Sequence, residues 1–151
     1  MSAAPRPDPP TVDAYRHHVA ITTRWTDNDA YGHINNVAYY AFFDTAVNLW
    51  LIGRGVLDVG SSPVIGFVVE TGCRYHRPLA YPEPVRVGLR AARIGTSSVR
   101  YELAVFGAED PRAAAEGHFV HVYVERATGR PTPLPPELRA ALESILVQAP
   151  P

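Results

Sequence analysis

The chain has 151 residues, a formal net charge of −1, 46% hydrophobic residues and 19% charged ones. Its length and apolar content are enough for one domain with a real core, and the charge balance gives neither a disordered chain nor a basic field for nucleic acid. A single cysteine, Cys73, excludes an intramolecular disulfide and fits a reducing compartment.

Pro5, Pro7, Pro9 and Pro10 crowd the first ten residues, where missing amide donors work against ladders and helices. Residues 1–14 are therefore expected as a loose Pro-rich tail, 15–147 as the single domain and 148–151 as a second tail. The first stretch lacks the apolar segment of a secretory signal, and no apolar run reaches about 18 residues. A soluble, cytoplasmic protein with no membrane partner is expected.

"HVAITTRW", residues 18–25, is rich in β-branched residues and is predicted as the first strand. The polar stretch "DNDAYGHINN", residues 27–36, follows as a loop. From Asn36 to Ile52 the only formal charge is Asp44, and Gly53 and Gly55 supply a stop, which predicts a long helix. A helix apolar nearly all round is expected to be buried on most sides.

"PVIGFVVETGCRYHRP", residues 63–78, is predicted as a long strand, with Gly66 and Gly72 as bends or bulges. "VRVGLRAARI" and "VRYELAVFG" alternate apolar and polar around the turn "GTSS", and "AAAEGHFVHVYVER" is a last strand. Short turns between strands imply an antiparallel meander. "PPELRAALESILVQ" closes the chain as a short amphipathic helix with Leu138, Leu142, Ile145 and Leu146 on one side. Strand, long helix and four further strands fit an α+β hot-dog architecture: a curved antiparallel sheet around one buried helix, with edges that call for a dimer.

The loop then acquires chemistry. It lies where a strand ends and a buried helix begins, so free helix amides point back at Asp27 and Asp29 if Asn35 or Asn36 is the N-cap. Gly32 allows close backbone approach to a ligand. A carbonyl held on those amides would be polarised, with a carboxylate beside it.

"RWTDNDAYGHINNVAYYAFFDTA" resembles the active-site segment of the 4-hydroxybenzoyl-CoA thioesterase-like branch of hot-dog acyl-CoA thioesterases. Asp27, Asp29, Gly32, His33, Ile34, Asn35 and Asn36 fall on the family's pattern, and the resemblance extends over roughly residues 17–126. It implies hydrolysis of an acyl-CoA thioester with Asp29 as nucleophile or general base and the Asn36 amide polarising the carbonyl. It further implies substrate-binding roles for Gly32, His33, Asn35 and Tyr39, and for Arg93, Thr96, Ser97, Ser98 and Arg100 in "ARIGTSSVR", the arginines as phosphate contacts. Neither a metal nor a cofactor is implied, CoA being part of the substrate. The expected assembly is a homodimer or a dimer of dimers.

Other residues take plainer readings. Asp27 shapes the loop as a cap or turn residue. His118 and His121, three apart on one strand, point to opposite faces and do not form a metal site. Cys73 reads as a core filler, because a nucleophile needs an activating base. Tyr39, Tyr40, Phe42, Phe43 and Trp50 read mostly as core, with Tyr39 or Phe43 bordering an acyl tunnel. Two rival functions stand beside hydrolysis. An acyl-thioester hydratase or dehydratase is disfavoured because "DNDAYGH" lacks the Asn-Pro and His pattern of that branch; a non-catalytic acyl-CoA-binding module is disfavoured by the intact acid.

Overall fold

A computed structural model describes residues 3–147. Five antiparallel strands form one sheet in the order β1-β3-β4-β5-β2: β1 His17–Ile21, β2 Val64–Tyr75, β3 Val85–Ile94, β4 Ser98–Phe106 and β5 Ala115–Glu125. The long helix α1, Asn36–Gly53, lies between β1 and β2 in the chain, and the short helix α2, Pro136–Ser144, follows β5. This is the expected hot-dog fold. No helix among the described residues is long and apolar enough to cross a membrane.

The sheet is built from period-two patterning. In β3 the side chains of Val85, Val87, Leu89 and Ala91 are buried, and β4 repeats this with Val99, Tyr101, Leu103 and Val105. On β5, Ala115, Phe119, His121 and Tyr123 face the same core. Against this surface α1 lays Tyr39, Phe42, Phe43, Ala46, Val47, Trp50 and Leu51. Close approach has a local cause. A side chain at Gly117 would stand 2.6 Å from the Phe43 ring and 2.4 Å from the Gly72 carbonyl, so a bare backbone admits the helix here.

Several boundaries and faces differ from the sequence reading. β1 stops at Ile21; Trp25 belongs to a 3₁₀ turn, Trp25–Asp27, and is 79% exposed. Its β-branched neighbours resemble a strand, but the turn made by Arg24 and Asp27 ends the ladder. The register shift in β2 falls between Val68 and Glu70, not at Gly66 or Gly72, which instead make room for rings on β5. The helix is not wrapped on most sides within one chain. Val37, Leu49 and Ile52 are exposed at 67%, 51% and 47%, so α1 keeps an apolar outer face.

The two ends of the sheet are finished differently. Residues 10–14, within the stretch expected as a loose tail, are tied down: the Val12 amide donates to Pro111, the Ala113 amide donates to Pro10, and Tyr15 packs over Gly88 with the Arg90 guanidinium 4.9 Å above its ring. The chain after α2 bonds along β3, where the Ala91 amide donates to Ile145 and the Val147 amide to Ala91. On the far side, β2 pairs among the described residues with β5 alone, and Phe67, Val68 and Val69 are about half exposed. The tail expected over 148–151 lies outside the described residues.

Candidate active site

The loop between the 3₁₀ turn and α1 is fastened from both sides. The buried Asp27 carboxylate accepts the Arg24 amide at 2.7 Å and the Arg24 guanidinium at 2.9 and 3.2 Å, while its carbonyl accepts the Asn35 amide. Asn28 and Ile34 form an antiparallel bridge, the Asn28 side-chain oxygen accepts the Tyr81 amide, and the Ile34 amide donates to Leu79. Asp27 is therefore the loop's internal anchor.

Asp29 sits at the turn of this small hairpin and is partly exposed. Its Oδ1 accepts the Tyr31 amide at 2.9 Å and the His33 amide at 3.4 Å, an Asx turn, and its own amide donates to the His33 carbonyl at 2.8 Å. Gly32 completes the turn at φ +79°, a conformation that favours glycine. Oδ2 takes part in none of these bonds. One carboxylate oxygen is thus held by two backbone amides, and the other is not part of that arrangement.

Asn35 is the N-cap of α1, and its side-chain oxygen accepts the Val37 amide at 3.0 Å. Asn36 is the first helical residue. Its amide is used by none of the capping bonds, and its carbonyl accepts the Tyr75 hydroxyl at 2.9 Å from the end of β2. An unspent amide at a helix start, with the positive end of the macrodipole behind it, is a place for a polarised carbonyl oxygen.

The remaining residues singled out by sequence do not all converge here. His33 is exposed, with only its backbone engaged in the loop. Tyr39 is 2% exposed and meets Tyr75 edge-on at 5.0 Å; burial pushes its hydroxyl up to about 12. Cys73 is half-buried, and burial pushes its thiol up to about 11, so it stays protonated at neutral pH. Thr96, Ser97 and Ser98 form the β3–β4 turn, where the Gly95 amide donates to Ser98 and the Tyr123 amide to Ser97. Ser98 pairs with Val122, whereas Tyr75, beside the start of α1, pairs with Ala115. Seven residues of β5 separate those positions, about 23 Å at strand rise. Within one chain the two groups lie at opposite ends of the sheet. Arg93 is exposed; Arg100 lies 3.8 Å from Glu70 and 3.3 Å from Glu102.

Residues 23–142 match the profile of the thioesterase-like superfamily. The chain belongs to that superfamily. Among solved structures, this thioesterase-like chain is 53% identical to the PA5185 protein of Pseudomonas aeruginosa strain PAO1, covering 95% of this chain and all of that one with a TM-score of 0.91. It is 36% identical to a second P. aeruginosa protein, PA2801, proposed to be a thioesterase, over 84% of this chain and 98% of that one at TM-score 0.78. A Thermus thermophilus thioesterase solved with coenzyme A and Zn is 29% identical over 87% and 95% of the two chains, at TM-score 0.72. No curated protein matches the chain. The superfamily makes thioester hydrolysis the frame in which the loop's chemistry belongs.

Sequence reasoning overlooked Tyr75 and Asn28. A tyrosine at a strand end and an asparagine between two acids carry no spacing signal of their own. Only the fold brings the first to the helix start and the second to the Tyr81 amide.

Proposed function

We propose that the protein hydrolyses an acyl-CoA thioester to the free acid and CoA, with Asp29 as the working carboxylate. The observation that carries this reading is the Asp29 side chain itself, one oxygen fixed by the Tyr31 and His33 amides and the other unengaged, on a loop that runs directly into the start of α1. The thioester carbonyl oxygen sits on the Asn36 amide. Asp29 Oδ2 then either attacks the carbonyl carbon, expelling the CoA thiolate and leaving an anhydride for water to cleave, or takes a proton from a water that attacks directly. Both routes use the same amide for the developing oxyanion. The coenzyme A bound to the Thermus thermophilus relative supports a CoA ester as the substrate.

The reading includes a second copy of the chain. One sheet edge is short and covered in part by the residues after α2, while β2 presents a twelve-residue edge with exposed Phe67, Val68 and Val69. Antiparallel pairing of two β2 edges about a two-fold axis sets the Tyr75 end of each strand beside the Val64 end of the other. The start of α1 then faces the partner's strands and its β3–β4 hairpin end, where Arg93 and Thr96 to Ser98 lie. This pairing supplies what the single chain leaves apart.

The test is free-thiol release from a panel of acyl-CoAs, short and long, aliphatic and aromatic, by the native chain and by Asp29→Asn. Turnover of at least one ester that the variant loses is expected. A folded variant with native turnover would remove Asp29 from the mechanism.

A further inference from the structure

The first turn of α1 is held from two directions. At the helix start, Asn35 accepts the Val37 amide on its side-chain oxygen and the Ala38 amide on its carbonyl. From the sheet, the Tyr75 hydroxyl donates to the Asn36 carbonyl at 2.9 Å, across 39 positions of sequence. Among the described residues no other side chain of the sheet hydrogen-bonds residues 35–38. Asn36 and Val37 are exposed, so packing adds little to hold them.

Tyr75 is itself fixed. It is the last residue of β2, where it pairs with Ala115, and the His76 amide beyond it donates to Ala114. Its carbonyl accepts the Arg6 guanidinium at 2.9 Å. Its ring meets that of the buried Tyr39, about one turn further along α1, edge-on at 5.0 Å and 90° between planes. Burial raises its hydroxyl above the ordinary tyrosine range, which keeps it a protonated donor near neutral pH.

Helix geometry says what such a strut does. The amide of a helical residue points toward the N-terminus and its carbonyl toward the C-terminus. A donor on the Asn36 carbonyl therefore fixes that residue without competing for its amide. An oxyanion donor is effective because its position is set before the reaction begins. Misplacing a reacting group by about 1 Å can cost on the order of 100-fold in rate.

We propose that Tyr75 is a positioning residue for thioester hydrolysis: its hydroxyl ties the Asn36 carbonyl to the end of β2 and so sets where the Asn36 amide meets the thioester oxygen. The proposal rests on the thioesterase reading of the Asp29 loop. Tyr75 touches no reacting atom and acts through Asn36. A loosened donor costs less than a deleted one, whose loss is roughly 100- to 1,000-fold, so the expected loss is about tenfold.

Tyr75→Phe removes the hydroxyl and keeps the ring against Tyr39. With folding confirmed by circular dichroism, kcat and KM are measured on the acyl-CoA that the native chain cleaves best. The expected result is a fall of about tenfold in kcat with KM within about twofold of native. The thioester carbonyl gives a second readout. Its infrared stretch, recorded for a ¹³C-carbonyl acyl-CoA bound to Asp29→Asn, is lowered by polarisation on the amide, and the lowering is smaller when Tyr75→Phe is added. A fluorinated tyrosine at position 75 keeps both ring and hydroxyl but ionises at lower pH, and a phenolate cannot donate. Its kcat is expected near native at neutral pH, with a fall on the alkaline side that the native chain lacks. A folded Tyr75→Phe chain with native kcat, or with its loss in KM alone, overturns the proposal while Asp29-dependent hydrolysis stands. A carbonyl stretch that Tyr75→Phe leaves unmoved overturns it too, because the amide has then kept its place. A fluorinated chain with the native pH profile does the same. A chain that releases thiol from no acyl-CoA overturns both readings.

Discussion

Removing the buried Asp27 side chain leaves the Arg24 amide without its acceptor and the loop without its inner anchor. The ion pair adds little to this, because the Arg24 side chain is 72% exposed. Asp27→Ala is expected to lower unfolding free energy by about 1–3 kcal/mol, read from urea denaturation. His121 makes a different mark, on the pH dependence of stability. Its pKa falls from 6.5 in the unfolded chain to about 4 in the fold, through burial. Between those values the unfolded state binds the extra proton, so the stabilisation is fully present above pH 6.5 and is lost as pH falls through about 4. The full difference is on the order of 3 kcal/mol. As the pH is lowered through that window, the melting temperature of the native chain should fall relative to that of His121→Phe; parallel curves would contradict a buried neutral imidazole.

The start of α1 is where element and site meet. Asn35 caps the helix through the Val37 amide, a bond that does not use the Asn36 amide. Asn35→Ala is expected to cost about 1 kcal/mol of stability. It should also lower turnover, since a frayed first turn no longer holds the Asn36 amide in place; a stability loss with unchanged kcat would separate the cap from the chemistry. The helix itself was legible from a long run with one charge, and the strands from their period of two. What periodicity missed was the outer face of α1. An apolar helix looks the same in sequence whether its own sheet covers it or another molecule does, and Val37, Leu49 and Ile52 belong to the uncovered side. Trp25 was misread as strand because β-branched neighbours carry the same signal up to the turn that Arg24 and Asp27 close.

At the scale of the whole molecule, the loop residues of "DNDAYGHINN" were readable because they are contiguous and their local bonds are short-range. The distance between that loop and the Arg93–Arg100 hairpin was not, because it depends on strand order and on a sheet edge that meets no neighbouring strand among the described residues. A particle of about 33 kDa, twice the 16.5 kDa chain, is expected from light scattering. Charges placed on the bare edge, Phe67→Glu with Val69→Lys, should yield the single chain and abolish turnover together. Dissociation with native activity would mean that one chain carries a complete site. The central claim is narrower than the assembly and rests on one carboxylate. Its most direct measurement is single-turnover thiol release from the best acyl-CoA by the native chain and by Asp29→Asn, with circular dichroism and melting confirming that both are folded. The expected result is a loss of about 100-fold or more in the chemical step, the scale set by removing one group from such a site. A folded Asp29→Asn chain that releases thiol within about twofold of the native rate would contradict it.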